Sequence, residues 1–100
     1  LFTGDVGFKT ENDLIQDGHN LDVDWLKVAH HGSKNSSGVD FLEKTSPQKP
    51  VISVGKNSYG HPAEEALDRL KASGAEILNT LEKGTIRVEC WEEQECKSSI

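Results

Sequence analysis

Methionine is absent from all 100 residues, including position 1, where Leu1 stands. The opening Leu1-Phe2-Thr3-Gly4-Asp5 reads as a strand interrupted at its start. The chain is therefore expected to be an excised piece of a longer protein. Long apolar runs are also missing. No stretch approaches the ~20 residues of a membrane-spanning helix, so no direct membrane insertion by this segment is expected. No signal-peptide pattern is present. Cysteine is scarce: only Cys90 and Cys96 occur, with no histidine near them. A zinc site wants four ligands, commonly in closely spaced pairs, so these two do not make one. They are expected to be free thiols, with a local disulfide as the lesser alternative. Positive charge is in deficit, with 11 Lys and Arg against 17 Asp and Glu and a net charge of -6. That excludes a whole-surface electrostatic grip on nucleic acid. A local basic patch of Lys27, Lys34, Lys49 and Lys56 remains open, as does their reading as solvated surface lysines. Nucleophile elbow, P-loop and dinucleotide fingerprint are all absent, which removes serine-hydrolase, NTPase and Rossmann readings. Asp22-Val23-Asp24 lacks the glycine and distal glutamate of a calcium loop and reads as solvated charge, and His19 as an ordinary loop residue.

What is present suits one small α/β domain. Hydrophobic residues make up 34% and charged residues 28%. A chain of this length buries about 60–65% of its unfolded surface. Leu1-Phe2-Thr3 reads as a buried strand. Thr10 is placed to cap a helix over 11–17, with Leu14 and Ile15 buried and Gly18 as the stop. Trp25 to Ala29 is a second strand, and 32–38 a polar loop. Ser37 is placed to cap a short helix that carries Val39, Phe41 and Leu42 and ends before Pro47. Val51-Ile52-Ser53-Val54 is a third strand, buried on both faces. Pro62 suits a first helical position, and Ala63, Ala66, Leu67 and Leu70 follow on one helical face up to Ser73-Gly74. Glu76 to Asn79 is a strand, 82–84 a turn, and Thr85 to Glu89 a half-buried strand. Residues 92–100 read as a frayed polar tail, leaving 1–91 as the folded unit. The order is β-α-β-α-β-α-β-β, a mixed sheet with helices.

Three junctions between an apolar segment and a loop carry the chemistry. Ligands gather at the carboxyl ends of strands in open α/β sheets, and all three junctions fall there. Asp5 follows Thr3-Gly4, where glycine permits close backbone approach and the carboxylate can ligate one cation or bridge two. Its bland alternative is a turn aspartate bonding its own backbone. His30 and His31 end the second strand. On extended backbone, neighbours point to opposite faces, which divides the pair into one ligand and one proton-handling group. The loop after them, Gly32-Ser33-Lys34-Asn35-Ser36-Ser37, is rich in donors for an anion or phosphate oxygen. His61, between Gly60 and Pro62, suits a neutral ligand or a substrate contact, with Asn57 and Tyr59 placed to orient it or to touch substrate.

Taken together, Leu-Phe-Thr-Gly-Asp, Trp-Leu-Lys-Val-Ala-His-His-Gly-Ser-Lys-Asn-Ser and Val-Ile-Ser-Val-Gly-Lys-Asn-Ser-Tyr-Gly-His-Pro resemble the metallo-β-lactamase superfamily. The match is to the hydrolase domain of ComEC-type competence proteins and their stand-alone relatives, from Leu1 to about Val88. The resemblance implies the second, C-terminal half of an αββα sandwich with a one- or two-metal site along one sheet edge. It implies Asp5 as the bridging ligand and His31 as a ligand of the second metal, with His30 as the alternative. It implies His30 and His61 as proton carriers or substrate contacts, beside the substrate contacts expected of Ser33 and Lys34 in the donor-rich loop and of Asn57 and Tyr59. The metals would be two divalent ions, zinc or manganese.

The family's principal motif, His-x-His-x-Asp-His, occurs nowhere in this chain. The missing N-terminal half is thus the first expected partner, with a nucleic-acid substrate the second. By itself the chain is expected to bind metal weakly or not at all, to turn over nothing useful, and to self-associate through the sheet face that the other half would cover. The alternatives are a non-catalytic interaction module of the same fold and a small α/β domain whose histidines are structural. The location would be the bacterial cytoplasm for a stand-alone hydrolase, or the extracytoplasmic side of the membrane for part of a competence channel.

Overall fold

The computed structural model describes residues 1–92 and 95–98. Its elements are α1 (Phe8–Gln16), β1 (Trp25–Lys27), a turn (Ala29–Gly32), α2 (Val39–Thr45) and β2 (Lys49–Ile52). They continue with α3 (Glu64–Ala72), β3 (Leu78–Asn79), α4 (Thr80–Lys83), β4 (Val88–Glu89) and β5 (Lys97–Ser98). Strands β1, β2 and β3 form a parallel sheet in chain order, with Leu26 opposite Pro50 and Val51 opposite both Lys27 and Leu78. Phe2 adds a parallel bridge to Lys27 at the outer edge of β1. Parallel neighbours need crossovers, and α1, α2 and α3 are those crossovers. The expected alternation of strands and helices is observed from Trp25 to Asn79, whereas Leu1-Phe2-Thr3, expected as a buried strand, is a single bridge with Leu1 and Phe2 exposed.

Strand periodicity decides where the core sits. Leu26, Val28 and Ile52 point to one face and pack with Phe41 and Leu42 of α2 and Leu70 of α3. Leu14 and Ile15 of α1 and Leu67 of α3 close the cluster. All three crossover helices thus cover the same face. The alternate residues Trp25 and Val51 look the other way, into a 430 Å³ groove that Phe2, Val88 and Cys90 also line, so the strand expected to be buried on both faces is buried on one. Phe2 is 87% exposed. A sheet with one face open in this way predicts self-association or apolar dye binding by the chain alone. Sedimentation and dye fluorescence check it: a monomer that binds no dye at high concentration contradicts it.

Several boundaries differ from the sequence reading, each for a local reason. Helix α1 starts at Phe8 with Gly7 at its N-cap, so Thr10 lies inside it and caps nothing. The Phe8 N–H is held by the Asn35 carbonyl at 3.0 Å, which fixes the earlier start. Gly38, not Ser37, is the N-cap of α2. Strand β2 begins two residues early because the Asp24 carbonyl accepts the N–H groups of both Gln48 and Lys49 at 3.0 Å. It also ends early, because the Val54 N–H is taken by Thr80 Oγ1 at 2.8 Å. Ala63 is the N-cap of α3, leaving Pro62 outside the helix. The expected turn at 82–84 is partly the helical turn α4, whose Leu81 N–H donates to Asn79 Oδ1 at 2.8 Å, and the strands expected at Glu76 to Asn79 and Thr85 to Glu89 shrink to Leu78–Asn79 and Val88–Glu89.

The free-thiol reading is corrected. Cys90 and Cys96 form a disulfide across the ends of the antiparallel β4–β5 pair, their Cα atoms 4.2 Å apart. Lys97–Ser98, expected to fray, is therefore a paired strand: the hairpin closes at a spacing of six that is too short to show pairing in sequence. Residues 93, 94, 99 and 100 of the expected tail lie outside the described residues.

Candidate functional site

The three motifs meet at the carboxyl edge of the parallel sheet. The Thr3 hydroxyl donates to the Lys27 carbonyl at 2.6 Å and anchors the turn that carries Gly4 and Asp5. The His30 N–H donates to the Gly4 carbonyl at 2.8 Å, joining the first motif to the second. The Ala63 N–H donates to the Gly32 carbonyl at 2.8 Å, joining the second to the third. Asp5, His30 and His31 are all exposed, as expected of a rim.

The backbone of the histidine pair overturns one argument. His30 and His31 have φ of 51° and 53°, so both are left-handed and not extended. Strand alternation therefore does not divide their roles. The division now rests on hydrogen bonding. His31 Nδ1 lies 2.6 Å from the Ser53 carbonyl. A carbonyl only accepts, so Nδ1 is the protonated nitrogen in this bond, which leaves Nε2 as the nitrogen able to act as a ligand. Metal-binding histidines are commonly oriented in this way. Left-handed backbone costs non-glycine residues about 1–2 kcal/mol each, and such strain clusters at functional sites. Here the neighbouring hydrogen bonds hold it in place.

His61 stands against His30 with ring centroids 5.4 Å apart, and the His30 and His31 rings are 6.4 Å apart. Tyr59 lies 6.1 Å from His61 by ring centroids, so four rings run along this edge. Tyr59 and His61 line both a 200 Å³ cleft with His31 and Lys56 and a 310 Å³ cleft with Ser33 and Lys34. Asn57 works on its own loop. Its Nδ2 donates to the Gly55 and His61 carbonyls, and its Oδ1 accepts the Tyr59 and His61 N–H groups. Ser33 is buried, and its Oγ accepts the Asn35 N–H at 3.2 Å.

The four lysines of the supposed patch divide. Lys34 and Lys56 border the clefts. Lys49 sits over the Trp25 ring and 3.9 Å from Glu76, and Lys27 lines the open sheet face. His19 pairs loosely with Asp17 at 4.0 Å, away from the site, as read from the sequence.

Two residues beside the site were not foreseen. Glu11 is only 1% exposed and accepts the N–H groups of Ser37 at 2.6 Å and Gly38 at 2.9 Å. Burial pushes its carboxyl up from the ordinary range, against the opposing pull of those N–H groups and of the Arg69 charge. Arg69 donates to the carbonyls of Lys34, Ser36 and Ser37. No sequence pattern marks either residue, because their partners are backbone groups far along the chain.

Among the described residues, no group of three or more His, Cys, Asp or Glu side chains is placed to hold a metal. Asp5 and the free Nε2 of His31 suit a divalent cation as donor types. They fit part of a coordination shell and not the whole of one.

The fold and edge define a class: a parallel α/β unit with a carboxylate turn and three histidines at its strand ends. The chain is similar to a segment of competence-related proteins. It is 38% identical over 88 residues to ComE operon protein 3 of Bacillus subtilis, and 39% over 89 residues to competence protein ComA of Neisseria gonorrhoeae. It is 32% identical over 95 residues to recombination protein 2 of Haemophilus influenzae. These matches take in 87%, 87% and 94% of the chain but only 11%, 13% and 12% of the respective relatives. No family model matches, and neither does any solved structure.

Proposed function

We propose that this chain is the C-terminal half of a metallo-β-lactamase-like, metal-dependent hydrolase unit in a competence protein involved in DNA uptake. The observation that supports this most is the meeting of the Asp5 turn, His30-His31 and His61 on one edge, with His31 Nε2 left open by the Ser53 bond. Similarity to competence-related proteins along 87% of the chain gives the context. The favoured substrate is a phosphodiester, with DNA first.

In this reading Asp5 and His31 contribute two ligands to a pair of divalent ions, zinc or manganese, and the N-terminal half supplies the rest. When bound, such ions polarise a phosphoryl oxygen and activate water. His30 and His61, in ring contact, carry a proton to the leaving oxygen. Lys34, on the rim of the 310 Å³ cleft, attracts a phosphate where the net charge of -6 would otherwise repel it. Ser33 and Tyr59 face the same cleft, and Asn57 holds Tyr59 and His61 to it. The chain without its other half is inactive.

Metal titration of the longer protein tests the reading. Asp5→Ala and His31→Ala are each expected to weaken zinc or manganese binding by at least about 10–100-fold, the range for losing a partner behind a ligand, since each removes a direct ligand. A longer protein that takes up no metal, or that loses none in either variant, overturns the enzyme and favours a non-catalytic interaction module.

A further inference from the structure

Helices α1 and α3 each send one charged side chain beneath the loop 33–38. Glu11 accepts the Ser37 and Gly38 N–H groups. Arg69 forks across the loop from the other side: Nη2 donates to the Lys34 and Ser36 carbonyls at 2.8 Å, and Nε to the Ser37 carbonyl at 2.9 Å. This loop of Ser, Lys, Asn and Gly has little apolar surface with which to fix its own shape. Its order comes from these two side chains and from contacts with the motifs. The Ser36 hydroxyl donates to the Val6 carbonyl at 2.6 Å, immediately after Asp5. The Ser33 N–H donates to the His30 carbonyl at 3.0 Å. Lys34 shares a cleft wall with His61. One loop therefore bonds to the first two motif segments and borders the third across a cleft, and one buried carboxylate and one guanidinium hold it.

We propose that Glu11 and Arg69 are positioning residues for the candidate site, setting the loop 33–38 and through it the placement of Lys34, His30 and the Asp5 turn against His61. The inference rests on the reading of this edge as the site. A planar guanidinium reaches three carbonyls at once, which an ammonium cannot reproduce. Arg69→Lys keeps the charge and loses the fork, while Glu11→Gln keeps one acceptor and presents an amide to the other N–H.

Nuclear magnetic resonance on this chain tests the placement. Both variants are expected to move the Lys34 and Asn35 amide signals and the ring signals of His30 and His61. Leu67→Ala, on the same helix but half-buried against the core, is expected to lower the melting temperature and leave those rings unmoved. A folded Arg69→Lys protein with unmoved rings overturns the proposal. So do equal ring shifts in Leu67→Ala. In the longer protein, Arg69→Lys is expected to lower kcat/KM for bis(p-nitrophenyl) phosphate about fivefold or more, because the loop places both Lys34 on the cleft rim and His30 beside His61. An unchanged kcat/KM in an active protein overturns the positioning role. A wild-type longer protein with no hydrolysis overturns the proposed function instead, and the ring signals still decide the positioning.

Discussion

Replacing Gly32 with alanine is expected to destabilise the chain by about 2–5 kcal/mol and to separate His61 from His30. Two independent effects add. Gly32 has φ of +82°, a conformation that costs an L-residue about 1–2 kcal/mol. A Cβ there would also lie 2.8 Å from Pro62 Cβ and 3.1 Å from Pro62 Cα. Neither atom belongs to the flexible end of a side chain, so the backbone must move, at roughly 1–3 kcal/mol for overpacking. The movement breaks the Ala63-to-Gly32 hydrogen bond, which ties the histidine turn to the segment just after His61. Against a typical domain stability of about 5–15 kcal/mol, the loss is large. Urea denaturation measures it, and the His30 and His61 ring signals report the separation. Gly60→Ala is the contrast: its φ is +79°, but nothing lies within 4 Å of the added Cβ. Gly60→Ala should therefore show the conformational cost alone. Equal losses in the two variants contradict the role given to Pro62.

The contrast between these glycines shows what the sequence could reveal. Periodicity identified the helix of Ala66, Leu67 and Leu70, the strand of Val51 and Ile52, and the parallel alternation, because those signals are local and repeat. Short motifs located the Asp5 turn, the histidine pair and His61, because each sits where an apolar run stops. The left-handed backbone of His30 and His31 was not legible. It depends on the Gly4, Ser53 and Gly32 contacts, which exist only after the sheet has formed. The same holds for Asn57, whose amide is spent on its own loop, and for the Cys90–Cys96 pair, which the β4–β5 hairpin brings together. Glu11 was illegible for a further reason. A charged residue in the first turn of an amphipathic helix is expected to face solvent. What draws it inward is a pair of unpartnered N–H groups on a loop 26 and 27 residues away.

Removing that carboxyl is the second large effect. Glu11→Ala leaves the Ser37 and Gly38 N–H groups without their acceptor in a region where Ser36 and Ser37 are each 1% exposed. An unsatisfied buried donor costs about 1–3 kcal/mol, so the pair is expected to cost about 2–4 kcal/mol after local relaxation. Glu11→Gln retains one acceptor and should lose less. The pH dependence separates hydrogen bonding from charge. Burial holds the folded-state pKa of Glu11 above its ordinary value of 4.5. Below 4.5 the carboxyl is protonated in both states, and its contribution is fully present. As pH rises, the unfolded chain releases this proton first, so the folded state binds more protons and stability falls with pH. The decline ends once pH has passed the folded-state pKa. Subtracting the Glu11→Gln curve from the wild-type curve cancels the exposed carboxylates common to both. The difference should slope downward from about pH 4.5 and then level off. A flat difference would mean that the two N–H groups and Arg69 offset the whole cost of burying the charge. An upward slope would mean that they exceed it, and Glu11 would then be a net electrostatic stabiliser at neutral pH.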